Sequence, residues 1–176
     1  MPLSSQPLGY SFAALQPGTL LFDDAVRLYL TIWPGDTQGV SDFFTRYAAL
    51  PDYHGFVALH GGALAGFGFG TRSLPDAWWH DRVTAQVGAE HPALYDAWVL
   101  VDLAVAPAHR GKGLGGALME TLLAAQPCPR ALLSTEVGNA TARRLYERHA
   151  GATCTPASPS TRAISRTWSC VESWRA

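Results

Sequence analysis

The chain is predicted to be an α/β protein with a mixed, mostly antiparallel sheet flanked by helices. Three stretches carry that expectation. Residues 98–121, WVLVDLAVAPAHRGKGLGGALMET, pass from an apolar strand pattern through a proline-marked turn and a glycine cluster. Leu114, Leu118, Met119 and Leu122 then recur at helical spacing. Residues 55–59 and 63–69 flank His60-Gly61-Gly62 and read as a β-hairpin with a glycine-containing turn. Residues 131–137 read as a further strand, and Gly138-Asn139 opens another helical pattern.

Each element has its own local cause. Residues 10–15 are apolar and end at Gln16-Pro17-Gly18, a strand closed by a turn. Asp23-Asp24 precede a helical run to Ile32 as acids of its first turn, and Pro34-Gly35 breaks it. Ser41 or Asp42 is the expected cap of a second helix, 42–50, stopped by Pro51, with Phe43, Phe44 and Tyr47 forming one aromatic side that core packing explains. After the hairpin, Pro75-Asp76 can start a short helix through Val87 with Gly88 as its stop. Within it Trp78 and Trp79 must point to different faces, so one can be core and the other not; either is a candidate wall for an acceptor, as is Phe43. The strand over 99–105 is interrupted only by Asp102. Following the central helix, Gln126-Pro127-Cys128-Pro129 is a break, and a last helix over 140–149 stops before Gly151.

Composition narrows the class. At 176 residues and 48% hydrophobic content the chain can bury a substantial core and is expected to form a single domain, 1–176. A net charge of −1 gives no general attraction to nucleic acid or to an anionic membrane. Cys128, Cys154 and Cys170 form neither a C-x-x-C pair nor an even disulfide set, which points to a reducing compartment. No stretch approaches a membrane span, and no basic start leads into a long apolar run. A cytoplasmic monomer or homodimer is therefore expected. His54, His60, His80, His91, His109 and His149 show no metal-ligand spacing, so scattered surface or core roles suit them best and no metal is expected.

The chemistry concentrates in the glycine loop. Glycines allow positive φ and close approach of a ligand, and the first N–H groups of the following helix have no internal partners. An anion fits there, gaining ~0.3–1 kcal/mol when exposed and up to ~2 kcal/mol when partly buried. Arg110 and Lys112 add positive charge. Gly111-Lys112-Gly113-Leu114-Gly115-Gly116 also satisfies G-x-G-x-x-G, with Glu136 about 20 residues on, so a dinucleotide site is an alternative. Against it, five residues separate the strand from the first glycine. The nucleotide P-loop pattern G-x-x-x-x-G-K-[ST] is absent.

Arg110-x-x-Gly113-x-Gly115, preceded by Leu103-Ala104-Val105-x-Pro107, resembles the acyl-CoA pyrophosphate loop of the GNAT N-acetyltransferase family, Q/R-x-x-G-x-G/A after a strand. Asn139-x-x-Ala142-x-x-Leu145-Tyr146 is similar to the family's second motif, N-x-x-A-x-x-x-Y. The opening order of strand, two helices and hairpin matches as well. This resemblance implies a GNAT-like acyl-CoA N-acyltransferase fold whose central parallel strands splay apart, with acetyl-CoA as donor and an amine as acceptor. It implies that the backbone at Leu103 and Val105 holds the pantetheine arm and that an N–H there polarises the thioester carbonyl. Arg110, Gly111, Lys112, Gly113, Leu114, Gly115 and Gly116 would hold the pyrophosphate, with Asn139 and Ala142 also on the cofactor side. Tyr146 would supply the proton for the departing thiolate.

Asp102, a carboxylate inside an apolar strand, is the candidate general base, since burial would raise its pKa; Glu136, Asp96 or a water chain are alternatives. A non-catalytic acyl-CoA sensor would keep the loop without depending on Tyr146. The acceptor is not specified: a small metabolite, an antibiotic-like amine and a protein N-terminus all remain open.

The tail departs from the family pattern. Ala152 stands where an aromatic is usual, and residues 152–176 form a Ser/Thr/Pro-rich segment of low apolar content, expected to make poor strands. A shifted reading frame is one explanation, because TCN serines at 158, 160, 165 and 169 would then become Phe, Leu, Ile or Val.

Overall fold

A computed structural model describes residues 7, 9–136, 138–149, 152–153 and 166–172. In chain order its elements are β1 (Tyr10–Ala14), α1 (Leu20–Ile32), α2 (Thr37–Ala48), β2 (His54–His60), β3 (Ala63–Arg72), α3 (Trp78–Val87), β4 (Ala97–Val105), α4 (Leu114–Ala125), β5 (Arg130–Glu136), α5 (Ala140–Arg148), β6 (Ala152–Thr153) and β7 (Arg166–Glu172). They group into two compact units, Met1–Thr71 with Val101–Gln126, and Arg72–Leu100 with Pro127–Ala176.

In the first unit the strand order is β1-β2-β3-β4. β1 and β2 pair antiparallel from Tyr10↔His60 to Ala14↔Phe56. β2 and β3 form the expected hairpin, with a bulge between Ala58 and Leu59. Side chains alternate across such a sheet, and the alternation along β3 sorts large from small. Phe67 and Phe69 join a core with Phe22, Ala25 and Val26 of α1 and Phe44 and Tyr47 of α2. Fully burying a side chain such as Phe44 contributes about 1.5–3 kcal/mol. On the opposite face, Leu114 and Leu118 of α4 pack with Ala58, Ala65, Leu103 and Val105. Gly66 and Gly68 make room for that helix: a Cβ at Gly66 would stand 2.8 Å from the Ala104 carbonyl oxygen and 3.2 Å from Leu118 Cδ1.

Of the first two helices, the second starts earlier than its sequence suggests. α1 is capped by Thr19, whose hydroxyl accepts from Phe22 N at 3.3 Å, and Asp23 lies in its first turn, as the sequence predicts. α2 is capped by Asp36, whose carboxylate accepts from Gly39 N at 2.6 Å. Ser41 and Asp42, expected as caps, are interior. The reason is tertiary: extending α2 backwards brings Val40 against the core, and that burial outweighs the poor helix propensity of Gly39.

In the second unit the strand order is β4-β5-β7-β6. β4 and β5 are parallel and pair from Ala97↔Arg130 to Leu100↔Leu133; each strand continues past the last pair. β7 lines the whole of β5 antiparallel, from Arg130↔Glu172 to Glu136↔Arg166, and β6 pairs with β7 at Ala152↔Cys170. Residues 152–153 and 166–172 therefore form closing strands, against the expectation for the tail as a whole. Strand propensity is weak beside a ready ladder partner, and β5 with its buried Ala131, Leu132 and Leu133 offers one. Residues 154–165 and 173–176, with Ser158, Ser160 and Ser165 of the frame argument, lie outside the described residues, as does Val137.

The helix α3 begins at Trp78, with Pro75 and Asp76 in the turn before it, where Asp76 has φ +66°. The Asp76 N–H donates to the Asp81 carboxylate at 3.1 Å. Gly88 ends the helix at φ +92°, as its sequence position predicts. Among the described residues no helix is long and apolar enough to cross a membrane.

Candidate functional site

The loop after β4 is built by a sequence of local constraints. Ala106 N donates to Ala65 O at 2.9 Å, which ends the strand, and Pro107–His109 make one 3₁₀ turn. Gly111 and Gly113 both have positive φ, +73° and +80°. Gly113 is the N-cap of α4 in left-handed conformation, and it has no side chain with which to satisfy the first-turn N–H groups. Leu114, 1% exposed, anchors the helix start in the core. Gly115 and Gly116 are thus already helical.

Two cations are folded onto this turn. Arg110 Nε donates to Val105 O at 3.0 Å, and Lys112 Nζ donates to Ala108 O at 2.9 Å. Each bond uses one donor of a group that has several. A Cβ added at Gly111 or Gly113 would meet nothing within 4 Å, so the space over the turn is open. Uncapped N–H groups, the helix dipole, two cations and open space together favour an anion over this turn.

Beside the turn sit three rings from separate elements. The Tyr10 hydroxyl lies 2.9 Å from His109 Nδ1, and His60 Nδ1 donates to Gly9 O at 3.0 Å. The two imidazole centroids are 5.3 Å apart. Burial, then Lys112 and His60, push the His109 pKa below the usual histidine value. This cluster was not foreseen, since no spacing in the sequence brings residues 10, 60 and 109 together.

Within β4, alternation puts Leu103 and Val105 under α4 and turns Asp102 and Ala104 towards the face that carries α1 and α2. Asp102 is half-buried rather than enclosed. Its charge adds to burial in raising the Tyr47 pKa, against the opposing Arg46. Tyr47 in turn packs on Phe43 with ring centroids 4.9 Å apart. Phe43 also touches Phe44 and Phe69, so much of its surface serves the core. Asp102, Tyr47 and Phe43 thus form one neighbourhood, of which Tyr47 had been counted only as a core aromatic.

The second unit holds the remaining predicted residues. Trp79 is 6% exposed, and its Nε1 donates to Ser134 Oγ at 3.2 Å; Trp78 is 59% exposed, with the Arg82 guanidinium 5.6 Å from its ring centroid. Asn139 caps α5 by accepting from Ala142 N at 3.1 Å, which gives both residues a structural task. Tyr146 is buried on α5. Asp96 pairs with Arg72 at 2.6 Å, and Glu136 is exposed at the end of β5. Among the described residues no group of three or more His, Cys, Asp or Glu could hold a metal. The dinucleotide alternative lacks its context, since the 3₁₀ turn intervenes between strand end and first glycine.

Residues 21–152 match the model of the acetyltransferase (GNAT) family. No protein of curated function matches the chain. Among solved structures, the ribosomal-protein-S18-alanine N-acetyltransferase from Escherichia coli is similar at TM-score 0.64 and 18% identity, covering 95% of this chain and 96% of that one. An acetyltransferase of the GNAT family from Bacillus cereus aligns at TM-score 0.67 and 11% identity, over 94% and 99% of the two chains. A protein from Salmonella typhimurium solved with its cofactor acetyl-CoA aligns at TM-score 0.64 and 15% identity, over 93% and 94%. At these identities the likenesses establish the fold.

Proposed function

This chain belongs to the acetyltransferase (GNAT) family and is an N-acetyltransferase with acetyl-CoA as donor, and from that premise we propose that it acetylates a primary amine by direct transfer within a ternary complex. The observation that carries the donor half is the left-handed Gly113 N-cap with Arg110 and Lys112 folded beside it. The first-turn N–H groups and the two cations take the pyrophosphate. The backbone at Leu103 and Val105 holds the pantetheine arm, and an N–H there is the oxyanion donor, while the Val105 carbonyl accepts from Arg110.

Direct transfer asks three things of the protein: a neutral amine, its placement against the thioester carbon, and a proton for the thiolate. Asp102 takes the amine proton. Its half-buried position beside the protonated Tyr47 ring keeps it in reach of water and of a substrate ammonium. The lone pair then attacks the thioester carbon, the C–S bond breaks as Tyr146 protonates the sulfur, and the proton that the acetylated nitrogen sheds returns through solvent to the Tyr146 phenolate. Acceptors worth screening are small amines and peptide N-termini; the E. coli neighbour is named for acetylating a ribosomal-protein alanine.

The test measures CoA release with an amine and peptide panel, and thermal stabilisation by acetyl-CoA, CoA and NADH. A ligand at a hundredfold over its Kd adds about 2.7 kcal/mol. Tyr146→Phe should lower kcat by roughly a hundredfold or more while leaving the KM for acetyl-CoA near wild type. Stabilisation by NADH alone would overturn the proposal. Full turnover in Tyr146→Phe would remove that residue's role, and CoA binding with no turnover on any amine would favour an acyl-CoA sensor.

A further inference from the structure

We propose that His109, held by Tyr10 and flanked by His60, takes up a proton from solvent when the phosphates of acetyl-CoA dock on the adjacent turn, and so acts as a proton-linked phosphate-binding residue. This rests on the assignment of the Arg110–Gly116 segment to the pyrophosphate.

The geometry begins with which nitrogen carries hydrogen. The Gly9 carbonyl can only accept, so His60 Nδ1 carries a proton and its Nε2 is bare while the ring is neutral. At His109, Nδ1 faces the Tyr10 hydroxyl at 2.9 Å. A hydroxyl can either donate or accept. It donates to Nδ1 of the neutral ring and accepts from Nδ1–H of the charged one, so Tyr10 serves both states without moving. In either state the ring stays in place, with Nε2 as its remaining polar atom.

The charged groups around His109 set the direction. From β1 it faces Tyr10, from β2 His60 at 5.3 Å between centroids, and from its own loop Lys112. Burial, Lys112 and His60 all disfavour the imidazolium, so in the free protein His109 is neutral at physiological pH. A pyrophosphate on the turn brings negative charge to the residue next to Arg110 and reverses the balance. Binding then draws a proton from the buffer onto His109, with no covalent change. By linkage, affinity for the donor rises as pH falls, by up to about tenfold per pH unit where the uptake approaches one proton.

The experiment is calorimetric titration of CoA into wild type, His109→Gln and His60→Gln, from pH 6 to 8.5, in buffers of different ionisation heat. The 3′-phosphate of CoA titrates at about pH 6 itself, so the readout is the difference between proteins. Wild type should take up more protons than His109→Gln, whose amide can still bond Tyr10 but cannot titrate. In His60→Gln a neighbour that opposes the charge is gone, so the pH midpoint of uptake should move up. Equal uptake in wild type and His109→Gln overturns the inference while leaving the loop assignment intact. If His109→Gln does not fold, an unmoved midpoint in His60→Gln overturns it. Failure of wild type to bind CoA at any pH would sink both the inference and the assignment beneath it.

Discussion

Replacing Gly113 by Ala isolates the backbone conformation on which the proposed donor site depends. The added Cβ would meet nothing within 4 Å, so there is no clash to accommodate and the whole penalty is that of an L-residue at φ +80°, ψ −3°. That penalty is about 1–2 kcal/mol. Where it is felt depends on the loop. If the left-handed cap is held equally in the free and bound protein, folding stability carries the loss. If the loop relaxes in the free protein and is restored only by ligand, the loss appears in affinity, as about a 5- to 30-fold weaker Kd for CoA. The two losses together should total about 1–2 kcal/mol. Gly18→Ala is the control, since Gly18 also has positive φ, +78°, with open space around it but lies in the turn ahead of α1. It should lose a similar amount of stability and keep its CoA affinity. Urea unfolding gives the first quantity and calorimetry the second. Gly113→Ala with wild-type stability and a CoA Kd within about twofold of wild type would refute the cap geometry argued here.

Two further outcomes follow from packing and burial. Gly66→Ala should lower the melting temperature more than Gly68→Ala, because the first meets the Ala104 backbone oxygen at 2.8 Å, whereas the second meets the side-chain ends of Leu103 and Leu122 at 2.8 Å, which can rotate, and the Asp102 backbone oxygen only at 3.4 Å. Overpacking costs about 1–3 kcal/mol and is partly offset by the ~0.5–1 kcal/mol that Ala gains over Gly in a strand; the opposite ranking in a thermal melt would contradict the strand-to-helix spacing. Tyr53 donates to Leu15 O at 3.1 Å, and burial pushes its pKa well above the usual tyrosine value. A raised folded-state pKa stabilises the protein in full below the unfolded value near 10 and is lost as pH rises beyond it. Stability should therefore fall above about pH 10, and Tyr53→Phe should flatten that limb in urea melts across pH 9–11; an unchanged slope would exclude Tyr53 as its source.

Much of this protein is written locally. The strand over 99–105, the break at Pro107, the two glycines with positive φ and the leucine spacing of α4 are each decided within a few residues, because backbone strain and helical period act over one or two turns. The same holds for the Asn139 cap and for the hairpin at Gly61-Gly62. Other features needed the folded chain. Adjacent tryptophans had to face opposite ways, but only the Ser134 hydroxyl and the core determine that Trp79 is inside and Trp78 outside. The start of α2 moved to Asp36 because core contacts, rather than the nearest candidate cap, set where a helix is worth extending. A serine- and threonine-rich tail became a strand because β5 supplied its ladder. The Tyr10–His109 bond spans 99 residues of chain. Sequence alone determined the elements and the turn that can hold an anion; the register of β1 on β2, with the return of β4 to β3, decided which rings stand beside it, since side chains far apart in sequence meet only where strand pairing puts them.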